Sequence, residues 1–74
     1  MRIYSIKHQE EFTYDSYDSM VIVANTKKQV VNKAKAHSAD EGEEVWEKAI
    51  ITEEGNYTGT NTKPFILLKS FNAG

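Results

Sequence analysis

Two histidines stand close to carboxylates in this chain: His8 ahead of Glu10 and Glu11, and His37 ahead of Asp40 and Glu41. That pairing raises the question of a metal, and the spacing answers against it. A metalloprotease helix carries two histidines four residues apart, and a calcium loop alternates oxygen ligands around a glycine; neither pattern occurs here. The absence of cysteine removes thiolate zinc sites and disulfides together. Nucleophilic catalysis has no better footing, because no serine sits in a strand-to-helix elbow and a few histidines among many carboxylates occur in almost any chain. Both histidines are expected to be solvated, and the chain is expected to be non-enzymatic, with no metal and no cofactor.

A third chemistry is anion binding. Thr26, Lys27 and Lys28 fall where a helix should begin, and Lys63 lies in the loop expected to face that end. Helix amides and lysines together can hold a phosphate. No glycine-rich phosphate motif immediately precedes the helix, so an ordinary capped helix beside a loop explains the same residues.

The most distinctive motif is the tandem triplet Tyr14-Asp15-Ser16-Tyr17-Asp18-Ser19, which enters the apolar stretch Met20-Val21-Ile22-Val23-Ala24. As a turn, it would use Asp15 and Asp18 to bond nearby amides while the tyrosines pack over a sheet edge. As a binding element, it would offer Tyr14 and Tyr17 as rigid anchors and the aspartates as acceptors for a partner's cations. Both readings stand at this level.

The elements that must position these residues follow from periodicity. A first strand is expected over 2–8, with Tyr4, Ile6 and His8 on one face, and a second over 19–24, covered on both faces or central in the sheet. Thr26 and Gln29 have capping-box spacing, which starts a helix at Thr26 and ends it near Ser38, with Val30, Val31, Ala34 and His37 as its buried stripe. Residues 45–52, carrying Trp46, Ile50 and Ile51, and residues 65–71 read as further strands joined by a long hairpin loop. The expected fold is α+β, ββαββ: a single domain over 1–74 with a mostly antiparallel sheet, one helix packed on one face, and a right-handed crossover from the second strand to the third.

This order places the 9–18 loop, the 39–44 connection and the C-terminal residues at one end of the molecule. All eleven acids fall within residues 10–18 and 40–54, although the formal net charge is only −2. Glu10, Glu11, Asp15, Asp18, Asp40, Glu41, Glu43 and Glu44 should therefore converge beside the helix C-terminus. There the dipole disfavours carboxylates by roughly 0.3–1 kcal/mol each. A chain selected for stability alone would place lysines there, so the acidic end is expected to serve binding, with Tyr14 and Tyr17 beside the carboxylates.

Length narrows the function further. A domain of 74 residues buries only about 60% of the surface its unfolded chain exposes, which leaves little room for a deep catalytic cleft. No run approaches a signal peptide or a membrane span, so a cytoplasmic location and no membrane association are expected, and the Asn56-Tyr57-Thr58 sequon is expected to be idle.

The Tyr-Asp-x-Tyr-Asp-Ser motif at residues 14–19, together with the ending Ser70-Phe71-Asn72-Ala73-Gly74, resembles small, mostly uncharacterised proteins of tailed bacteriophages and prophages. The resemblance implies a phage accessory protein acting in the cytoplasm of the infected host, of the host-takeover or anti-defence kind that binds and inhibits one bacterial protein. A basic host partner would suit the acidic end, through local imitation of a nucleic-acid backbone and without direct contact to nucleic acid. A net charge of −2 is too small for mimicry over the whole surface. The alternative is a small-ligand protein that sequesters a nucleotide signal at Thr26, Lys27, Lys28 and Lys63. A monomer or small homo-oligomer fits either reading.

Overall fold

The computed structural model describes residues 1–9, 16–39 and 41–72, with backbone only at 71 and 72. Four strands form one sheet in the order β3-β1-β2-β4, with every neighbouring pair antiparallel. The elements are β1 (Arg2–Lys7), β2 (Ser16–Ala24), α1 (Lys27–Ala36), α2 (Glu44–Glu47), β3 (Ile50–Asn56) and β4 (Phe65–Asn72). The class is α+β, and a second short helix interrupts the expected ββαββ order.

The two central strands are the ones whose inner faces are most apolar. Tyr4 and Ile6 of β1 lie opposite Ile22 and Met20 of β2. These four side chains join Ala24, Val30 and Ala34, and Trp46 of α2, in the buried core. Val23 is also fully buried. It lies opposite Phe65, whose ring meets Tyr57 edge to face at 5.2 Å. The central strand is thus covered on both sides at this point.

α1 starts as its residues predict. The Thr26 hydroxyl accepts from the Gln29 amide at 3.2 Å, and the Gln29 side-chain oxygen accepts from the Asn25 amide at 2.7 Å. The first bond satisfies an amide that the helix end would leave orphaned, and the second ties down the residue ahead of the cap. At the other end the His37 amide donates to the Ala34 carbonyl, and the Ser38 hydroxyl to the Lys35 carbonyl at 2.8 Å. Val30 and Ala34 are buried as expected, whereas His37, placed on the stripe, is exposed.

Three expectations are corrected. Residues 45–52 are not one strand: α2 occupies the first part and β3 begins at Ile50. The aromatic and β-branched content reads as strand, but Val45, Trp46 and Ala49 are the residues that pack inward, a helical spacing. The connection 57–64 is not a hairpin, because β3 and β4 occupy opposite edges of the sheet. The motif at 14–19 is not wholly a turn either, since Ser16, Tyr17 and Asp18 already belong to β2.

Candidate binding surfaces

The acidic end is organised around a residue that does not face solvent. Glu41 is only 4% exposed. One of its carboxylate oxygens accepts from the Tyr17 and Ala39 amides, both at 3.0 Å, and the other accepts from the Trp46 indole nitrogen at 3.0 Å. A single side chain thus ties β2, the end of the α1 connection and α2 together. His8, expected to be solvated, is likewise buried at 4% exposure. Its Nε2 donates to the Tyr17 carbonyl at 2.5 Å, and its ring meets Trp46 edge to face at 4.8 Å. Tyr17 is held through both backbone groups, and Lys69 Nζ lies 5.0 Å from its ring centre, a cation–π distance.

Gly42, next to Glu41, has φ of +78° and open space where a side chain would project. Backbone strain alone should therefore penalise Gly42→Ala, by about 1–2 kcal/mol. A chemical-denaturation midpoint unchanged by this substitution would show that the turn does not constrain Glu41.

Of the residues expected to bind a partner, Asp18, Glu43 and Glu44 are exposed at this end. Tyr17 is half-buried, and Glu41 is withdrawn from the surface altogether. Glu10, Glu11, Tyr14, Asp15 and Asp40 lie outside the described residues. Two further acids are engaged by cations. Glu53 Oε1 accepts from Arg2 at 2.7 Å and Glu47 Oε1 from Lys35 at 2.7 Å. The hydrogen bond from Lys35 holds the Glu47 carboxyl below its ordinary value, and raises the lysine in return. Glu47 is exposed and Lys35 partly so, and water screens the pair, which orients α2 against α1 without carrying much stability.

The basic residues converge differently from expectation. Thr26 spends its hydroxyl on the helix cap, and Lys27 and Lys28 are exposed. Lys63 meets Gln29, Asn32, Lys33 and Pro64 around a cleft of about 410 Å³ between α1 and the 57–64 connection. Lys33 also lines a second groove of about 510 Å³, with His37 and β4 residues 65–69. Sequence reasoning missed this groove, although the run Phe65-Ile66-Leu67-Leu68 with one lysine hinted at an apolar strand whose exposure depends on its place in the sheet. Among the described residues no cluster of three potential metal ligands occurs, and no helix is long and apolar enough to cross a membrane.

No protein-family model matches the chain, and no curated protein or solved structure shows significant similarity to it.

Proposed function

We propose that this protein is a non-enzymatic, phage-encoded accessory protein that occupies and blocks a basic surface on a bacterial host protein through its acidic end, in the host cytoplasm. The observation that carries the reading is the fate of the carboxylates there. Glu41 supplies the rigid interior of that end, while Asp18, Glu43 and Glu44 stay exposed around it. A fixed frame with carboxylates projecting from it fits a partner's lysines and arginines at low ordering cost. Charge of this kind steers association and weakens with salt.

The test is capture from a bacterial lysate with mass spectrometry of the eluate. Reversing Asp18, Glu43 and Glu44 to lysine is expected to abolish capture of the partner and to leave the thermal melt near that of the parent chain. The parent complex is expected to dissociate between low and moderate salt. Retained capture after the triple reversal would sink this reading.

A second reading rests on the cleft around Lys33 and Lys63, whose volume lies within the range for small-ligand sites. It predicts nucleotide binding by calorimetry that survives the acidic reversals and is lost on substitution of Lys63, with Lys27 and Lys28 contributing to the field.

A further inference from the structure

The geometry points to the groove between α1 and β4 as a docking site for an extended acidic peptide of a partner protein, added as a fifth strand along the edge of β4.

Among the described residues β4 pairs only with β2, so its outer edge offers a row of backbone donors and acceptors. Many proteins blunt such an edge with several charges or an internal proline. β4 has a single charge, Lys69, and its only nearby proline, Pro64, precedes the strand. Leu67 and Leu68 are 57% and 64% exposed. Among the described residues the helix packs chiefly over β1 and β2, and a groove of about 510 Å³ opens between it and β4.

The lining identifies the occupant. Lys33 and His37 stand on the helix wall and Lys69 on the strand, and among the described residues no carboxylate lines this groove. The adjoining clefts add Lys63 and again, among the described residues, contain no acid. An apolar strand edge walled by cations complements an extended segment that alternates carboxylates with large apolar side chains. Main-chain bonding would supply affinity, and the alternate side chains would supply selectivity. The bulge between Ile66 and Leu68, opposite Ile22 and Val21, bends the edge. A bent edge favours a short segment over a long flat sheet, which also works against open-ended stacking of copies.

This site adjoins the acidic end at Lys69, whose ammonium also lies over the Tyr17 ring, but it uses none of the carboxylates exposed there. The test is a nuclear magnetic resonance titration of the full chain with a heptapeptide alternating glutamate and leucine. Expected are shifts of the β4 amides at residues 66–69 and of Lys33 and His37, and at least tenfold weaker binding in a Lys33→Glu, Lys69→Glu double variant whose melt matches the parent. Reversal of Asp18, Glu43 and Glu44 should leave this binding unchanged.

A peptide with lysine in place of glutamate should bind at least tenfold more weakly, as should one methylated at alternate backbone nitrogens along the pairing edge. Equal binding of the lysine peptide would overturn the charge argument, and equal binding of the methylated peptide would overturn strand addition. Tighter binding of a nucleoside triphosphate or a single-stranded oligonucleotide at the same residues would reassign the groove to phosphate. Self-association through β4 in a dilution series would assign it to a second copy. Absence of shifts at residues 66–69 would end the proposal.

Discussion

Glu41→Ala is expected to lower the unfolding free energy by about 3–5 kcal/mol, a large share of the roughly 5–10 kcal/mol available to a domain of this size. The substitution leaves the Tyr17 and Ala39 amides and the Trp46 indole without their acceptor. A buried donor left unpaired costs about 1–3 kcal/mol, and water entering the vacated space offsets part of the sum. Glu41→Gln separates hydrogen bonding from packing. It keeps the shape but replaces one acceptor oxygen with an amide donor, which must confront either the two backbone N–H groups or the indole. The expected loss is smaller, about 1–3 kcal/mol. Trp46 is the only tryptophan, so its fluorescence in a urea titration reports directly on the site. Midpoints for both variants equal to the parent's would show that the carboxylate is not the pin of the acidic end, and would remove the frame on which the proposed partner surface rests.

What could be read in the chain beforehand, and what could not, divides along the range of the interactions. The capping residues Thr26 and Gln29 and the inward pair Val30 and Ala34 are local features of α1, and they are realised. The alternation of Tyr4, Ile6 and His8 is local as well, and all three are buried. By contrast, the burial of Glu41 needs donors from Tyr17, Ala39 and Trp46, which only the folded topology brings together; in the sequence it is one acid among neighbours. The assignment of residues 45–52 failed because composition and periodicity disagree there, and the inward spacing of Val45, Trp46 and Ala49 prevailed. The edge positions of β3 and β4 were equally hidden. A strand's neighbours are set by competition for the centre, which β1 and β2 win with inner faces that meet α1 and α2. The basic groove is a consequence of that competition, since Lys33 and Lys69 face one cavity only when β4 is an edge.

Val30→Asp is expected to unfold the domain at ambient temperature. Val30 is fully buried in the cluster containing Ile22, Ala34 and Trp46. Among the described residues no cation belongs to that cluster, so the new carboxylate would have to be buried unpaired or bind a proton, and either route costs several kcal/mol. Val30→Ala tests the packing contribution alone, and should cost about 1–3 kcal/mol through lost transfer energy and the cavity left behind. Lys35→Asp is the control on the outer side of the same helix. It breaks the 2.7 Å contact with Glu47 and sets two carboxylates near each other beside the helix C-terminus. Glu47 is exposed and Lys35 partly so, so water screens the repulsion and the loss should be small. Thermal melts should therefore rank Val30→Asp far below Val30→Ala, with Lys35→Asp nearest the parent. Equal melting of the two aspartate variants would mean that the inner side of α1 does not bear on the sheet, and the groove beside β4 would lose its helix wall.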